Sequence, residues 1–257
     1  MRSELLASAQ ETAVRCGLNL FGLVDASRFD GCSPCEQRFA KHHPRCGTLM
    51  VLGSGGRAFW QQYAASSASS ASADGQDLYT AATVRAVVAR LHEGGIACES
   101  VVLAASPKVN ANRLGECAGF GTVSPVSGLL VHPEYGPWVR VRAAVLLEGR
   151  PFGVVPDAAI SERYHPCCSC SKPCVTACPA GVYDGRGNQD LGACASHRHD
   201  GGCEPICASR LACPVGSQHR DEAGEDAHRH AFRLATMQRW FGFGVWRLVP
   251  TFLRQGR

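Results

Sequence analysis

The 257-residue sequence has no long apolar run and no strong charge bias. No stretch approaches the roughly 18 apolar residues that a membrane-spanning helix needs. Glu4, Glu11 and Arg15 interrupt the apolar core that a secretory signal would require. The formal net charge is only +4, which does not indicate a nucleic-acid-binding protein without a concentrated basic patch. These absences predict a cytoplasmic protein with no membrane span and no nucleic-acid partner.

Cysteine is the residue present in excess. The chain has 15 cysteines, and nine of them lie between Cys167 and Cys213. A secreted disulfide scaffold is usually shorter and evenly numbered. Dense cysteines in a chain of this size, kept reduced in the cytoplasm, are better interpreted as metal ligands.

Three regions of different composition predict three parts. Residues 1–155 alternate between helical patterns at 3–16 and 78–91 and strand patterns at 19–24, 48–52, 100–104 and 139–147, which predicts an α/β domain. Residues 156–220 are rich in Cys, Gly and Pro, so a metal must organise them into a ferredoxin-like domain. Residues 221–257 are predicted to be a helical tail. Its last part, 239–257, is aromatic and basic, and we expect it to pack on the body, with a membrane surface or a redox partner as the alternatives.

The cysteines of the second region form two runs that each end in Cys-Pro. The first run has the spacing C-x2-C-x3-C-x3-C-P when Cys167 is its first ligand, and the second has C-x8-C-x3-C-x5-C-P from Cys194. A cubane [4Fe–4S] cluster needs four thiolates, and a short run reaches only three irons of one cube. In bacterial two-cluster ferredoxins the cysteine before proline ligates the other cluster. The doubled spacing therefore predicts two [4Fe–4S] clusters.

The same rule assigns the eight ligands. One cluster would take Cys167, Cys170, Cys174 and Cys213, and the other would take Cys178, Cys194, Cys203 and Cys207. Cys168 is the alternative to Cys167, but only one residue separates it from Cys170, and this C-x-C spacing makes it harder for both sulfurs to reach one cluster. A pair of tetrahedral zinc sites is the alternative to the clusters, because C-x2-C spacing also suits zinc.

Two weaker motifs lie in the first region. The glycine-rich segment 53–56 (GSGG) follows a strand pattern and predicts a strand-to-helix turn, with a phosphate or flavin contact as the functional alternative. Cys32 and Cys35, near Cys46 and the histidines at 42–43, predict an inert loop, with a small zinc site or a redox pair as alternatives.

Residues 113–121 (RLGECAGFG), 127–137 (SGLLVHPEYGP) and the first cysteine run resemble epoxyqueuosine reductases and the related corrinoid-dependent reductive dehalogenases. The resemblance implies a nitroreductase-like α+β domain joined to a ferredoxin-like dicluster domain. In those enzymes the clusters supply electrons to a cobalamin, which then reduces a substrate. The resemblance also leaves tRNA open as a partner.

Two function classes follow. The first is an electron-transfer protein that serves a redox partner protein. The second is an oxidoreductase that depends on cobalamin or a flavin. The reductases carry an acidic proton donor shortly before their Ala-Gly turn, whereas residues 104–108 (AASPK) contain no carboxylate, so we expect the electron carrier. Clusters with a purely structural role are a third option, although two adjacent clusters suit electron hopping better.

Overall fold

A four-stranded antiparallel sheet organises the first part of the chain in the computed structural model, which describes residues 2–70, 75–103, 109–156 and 164–228. The strands of this sheet lie in the order β1-β2-β6-β3. A separate two-stranded hairpin joins β4 to β5. The strands are β1 (Leu20–Asp25), β2 (Cys46–Gly55), β3 (Cys98–Val102), β4 (Thr122–Val123), β5 (Leu130–Val131) and β6 (Val139–Glu148).

Helices cover both faces of the sheet and make up most of the regular structure after it. They are α1 (Arg2–Arg15), α2 (Ala26–Gly31), α3 (Phe39–His42), α4 (Ala58–Ala64), α5 (Gly75–Glu93), α6 (Ala111–Cys117), α7 (Pro173–Thr176), α8 (Leu191–His199), α9 (Ala208–Leu211) and α10 (223–228). Short 3-10 turns span Cys35–Gln37, Ser67–Ser70 and Ser217–His219. No helix within the described ranges has the length and apolar character needed to cross a membrane.

The central strand β2 is buried on both faces because its apolar residues do not alternate with polar ones. Leu49 and Val51 enter the core beneath α2 and α6. Met50 and Leu52 enter the core beneath α1 and α5. Successive side chains of a strand point to opposite faces, so one continuous apolar run supplies two cores.

The structure is of the mixed α/β class that the sequence predicts, and most predicted elements lie within a few residues of the observed ones. The end of β2 differs. The prediction ended this strand at Leu52, but it continues through Gly55, so the predicted turn at 53–56 is wrong for all but its last residue. Glycines fit here because a Cβ on Gly53 would meet the Phe120 ring and one on Gly55 would overlap Tyr135.

The cysteine-rich region packs against the sheet through charged groups. Arg210 of α9 donates hydrogen bonds at 2.9 and 3.2 Å to the Pro137 carbonyl. Arg140 of β6 pairs with Glu225 at 3.2 Å, and Asp221 accepts from Arg210 at 2.9 Å. These arginines and carboxylates are largely buried, so they hold residues 221–228 against β6 and α9.

Two expectations fall outside the described residues. These are the carboxylate-free segment 104–108 and the tail 239–257. The helix predicted from residue 221 is described only over 223–228.

Candidate metal centre

Four of the eight predicted ligands line one cavity. Cys167, Cys170, Cys174 and Cys213 surround it together with side chains from the hairpin β4–β5 and its turn. Burial raises the pKa of the Cys213 thiol, and the neighbouring Cys167, Cys174 and Cys170 raise it further. These four cysteines are the first set.

Local backbone features place the first set. Lys172 adopts a left-handed φ of 57° and Pro173 follows at the start of α7, which carries Cys174. Proline suits this position because the first turn of a helix has no partner for its N–H. The backbone N–H of Lys172 donates to the Cys170 Sγ at 3.4 Å. The backbone N–H of Val215 lowers the pKa of Cys213, against the larger effect of burial.

The remaining four predicted ligands form the second set. Burial raises the pKa of Cys194 to about 11, and Cys207, Cys178 and Cys203 add to this rise through their proximity. The Asp190 side chain caps α8 by accepting from the Ala193 N–H at 2.8 Å, which fixes the helix that carries Cys194. Because the four thiols lie close together, negative charge on one of them disfavours negative charge on the others.

Each set draws members from both runs. Cys213 closes the second run but lies with the first three ligands of the first run. Cys178 closes the first run but lies with the cysteines of the second. Cys168 is exposed, whereas Cys167 lines the cavity of the first set. Ligation of clusters by these thiols stays a prediction.

Several residues near the two sets carry no sequence signal. Burial raises the pKa of Tyr183 to about 12, and Cys207, Cys194 and Cys178 contribute to the rise. Ser209 in α9 donates to the Cys174 carbonyl at 2.7 Å. Ser124 lies at 3.3 Å from the Cys167 Sγ. Only tertiary structure brings Ser124 next to a cysteine 43 positions away.

A groove of about 340 Å³ separates the second set from strand β6. Trp138 and Arg140 line its sheet side, and Tyr183, Cys194 and Cys207 line the other side. The groove gives the second set an edge that faces the body of the protein.

The glycine-rich segment does not form an open cradle. Tyr135 lies over Gly55, and the Asn19 amide reaches both the Gly55 carbonyl at 3.1 Å and the Tyr135 hydroxyl at 3.5 Å. Ala118, from the segment that carries the family resemblance, packs against Gly22 so closely that a Cβ there would meet its carbonyl. These small residues allow close packing between strands, rings and helix ends.

The cysteines of the first region lie apart from both sets. Cys32 follows α2 and Cys35 begins a 3-10 turn, and both are exposed. His43 pairs with Glu99 at 3.0 Å, and burial raises the pKa of Cys46 to about 11. Across the described residues, the two cysteine sets included, no three His, Cys, Asp or Glu side chains are arranged to hold one metal ion.

The sequence matches no protein-family model and no curated protein. Solved structures with the same fold are similar at low identity. An epoxyqueuosine reductase with an epoxyqueuosine-modified tRNA-Tyr stem loop has a TM-score of 0.61 at 16% identity, over 89% of this chain and 69% of that chain. The epoxyqueuosine reductase of Bacillus subtilis has a TM-score of 0.59 at 16% identity, over 87% and 68%.

A catabolic reductive dehalogenase in complex with 3-bromo-4-hydroxybenzoic acid is also similar, with a TM-score of 0.52 at 15% identity. The likeness covers 88% of this chain but only 33% of the dehalogenase. The resemblance expected from the sequence is thereby confirmed at the level of the fold.

Proposed function

We propose that this chain carries two [4Fe–4S] clusters and transfers electrons with them. The observation that carries the proposal is the division of eight thiols into two sets of four, each with members from both cysteine runs. A ferredoxin-type pair of clusters requires this exchange of the cysteine before proline. Electron transfer also fits the fold, which this chain has in common with structures of reductases.

The donor chemistry of the two sets suits iron–sulfur clusters. Cys167, Cys170, Cys174 and Cys213 would hold the first cluster. Cys178, Cys194, Cys203 and Cys207 would hold the second. When bound, each cluster accepts and donates one electron at a time, with a potential set by burial and hydrogen bonds. All eight cysteines are partly buried, so bulk water has limited access to them.

The proposed chemistry also suggests where the protein is located and which partners it has. Reduced thiols are kept available in the cytoplasm, so we propose that location. An electron carrier needs a redox partner protein on each side of the transfer. We propose no nucleic-acid partner, because the net charge of +4 supplies little attraction for phosphate.

A reductase that uses cobalamin is the second candidate, and the likeness to epoxyqueuosine reductases over 89% of this chain favours it. A flavin fits less well. In the glycine segment that could contact its phosphate, the N–H groups of Gly55 and Gly56 already donate to Asn19 Oδ1 at 2.8 Å and to the Trp138 carbonyl at 2.9 Å. The absence of a carboxylate in residues 104–108 also removes the proton donor that the resemblance would place there.

Anaerobic redox titration followed by electron paramagnetic resonance tests the proposal. Protein from cells supplied with iron and cobalamin should show two S = 1/2 signals that appear on reduction and vanish on reoxidation. Equilibrium titration with hydroxocobalamin separates the two candidates, because tight binding would favour the reductase. Clusters that cannot be reduced, or no cluster signal at all, would contradict electron transfer.

A further inference from the structure

Ser124 lies in the turn between β4 and β5 with its hydroxyl group next to the first set. Its Oγ accepts the backbone N–H groups of Val126 at 3.2 Å and of Ser127 at 3.1 Å. The same oxygen lies 3.3 Å from the Cys167 Sγ. Ser124 is only 5% exposed, so little water competes for the contact.

The direction of this hydrogen bond follows from the groups present. A serine hydroxyl has two acceptor lone pairs and one O–H donor. As a thiol, Cys167 donates to this oxygen. Two backbone N–H groups already bond to the oxygen, so the hydroxyl hydrogen is left to bind the sulfur once Cys167 has lost its own hydrogen. A thiolate ligand has no hydrogen of its own and accepts one strongly because it is charged. The Ser124 hydroxyl therefore points at Cys167 once this cysteine is a ligand.

We propose that Ser124 tunes the first cluster by donating this hydrogen bond to Cys167 and raising the reduction potential of that cluster alone. The inference rests on the proposed function. Reduction adds negative charge that spreads onto the ligand sulfurs, so a hydrogen bond to a sulfur stabilises the reduced state more than the oxidised one. Because Ser124 belongs to the α/β body, the body sets the potential of a cluster that the cysteine-rich region holds.

The contact also selects between two neighbouring cysteines. Cys167 meets Ser124 and lines the cavity of the first set, whereas Cys168 is exposed. Ser124 is thus a positioning residue that holds the Cys167 sulfur toward the other three ligands.

The test compares Ser124→Ala with Ser33→Ala in the full-length protein, loaded with clusters. Ser33 is a matched control, since it is 7% exposed, lies apart from both sets and donates to the Phe29 carbonyl at 2.8 Å rather than to a sulfur. Loading is checked by iron content, and both midpoint potentials are measured by anaerobic titration.

Ser124→Ala should lower the equilibrium constant for reduction of one cluster about tenfold, which corresponds to ~59 mV for one electron. The other cluster, and both clusters of Ser33→Ala, should keep the parent potentials. Ser124→Thr retains a hydroxyl and should keep the parent potential.

Unchanged potentials in a fully loaded Ser124→Ala protein would overturn the inference, and so would equal shifts of both clusters. If Ser124→Ala loses the first cluster, the threonine variant decides. A Ser124→Thr protein that loads and has the parent potential supports the inference. A Ser124→Thr protein that lacks the parent potential overturns it. A parent protein without iron would instead refute the proposed function, so the two failures are distinct.

Discussion

The exchange of the last cysteine between the two runs predicts how pairs of substitutions combine. Cys213→Ala should remove the first cluster and leave about four of the about eight irons of the parent protein. Cys174→Ala should do the same, and the double variant should still retain about four, because both residues lie in the first set.

Pairs taken from different sets behave differently. Cys174 and Cys178 are neighbours in the first run, but the structure places Cys178 with the second set. Cys174→Ala/Cys178→Ala should therefore retain almost no iron. If each run instead held its own cluster, this variant would keep about four irons by the same arithmetic, and Cys174→Ala/Cys213→Ala would keep none.

The assay is iron and acid-labile sulfide per chain after anaerobic purification. Cys168→Ala is the matched control, because Cys168 lies in the first run but is exposed, and it should retain the full iron content. Circular dichroism verifies that each variant is folded. About four irons in Cys174→Ala/Cys178→Ala would refute the exchange of ligands.

Two further predictions concern stability. Burial raises the pKa of Glu225 above its usual value, against the opposing effect of Arg140, so the folded state retains a proton that the unfolded chain releases, and stability falls as pH rises above the usual carboxyl range. Glu225→Gln should remove this loss, so its stability should fall less than that of the parent between pH 5 and pH 8 in anaerobic urea unfolding, whereas parallel pH curves would contradict it. Gly55→Ala should destabilise the fold by about 1–3 kcal/mol because its Cβ would overlap Tyr135. In the Tyr135→Ala background the destabilisation by Gly55→Ala should largely disappear. If the effects of the two substitutions on stability simply add, the overlap between a Cβ at position 55 and Tyr135 is contradicted.

Local patterns in the sequence were sufficient to predict much of the sheet and its helices. The apolar spacing of residues 78–91 identifies most of α5, and the run at 139–147 identifies nearly all of β6. Both signals are local, because burial of one helix face or of a whole strand repeats at a fixed period.

The end of β2 was missed for a physical reason. Glycine usually terminates a strand, but Gly53 and Gly55 stay in the ladder because Phe120 and Tyr135 need the space above them. These two rings lie 67 and 80 positions later in the chain, so the local sequence around the glycines does not indicate them. Tertiary packing therefore overrides the low strand propensity of glycine.

The eight cysteines could be predicted from the sequence, whereas the residues around them could not. The spacing of the two runs and the paired Cys-Pro endings predict the eight cysteines and their exchange. Only the fold brings Ser124 to Cys167, Tyr183 to the second set and Arg210 to the Pro137 carbonyl. The division into residues 1–155, 156–220 and 221–257 stays a prediction.

The metal content of the anaerobically purified protein tests the central proposal most directly. Elemental mass spectrometry should find about eight irons per chain, together with about eight acid-labile sulfides, as two [4Fe–4S] clusters require. Zinc in place of iron, in protein whose anaerobic handling has been verified, would contradict the proposal that this chain carries electrons on paired clusters.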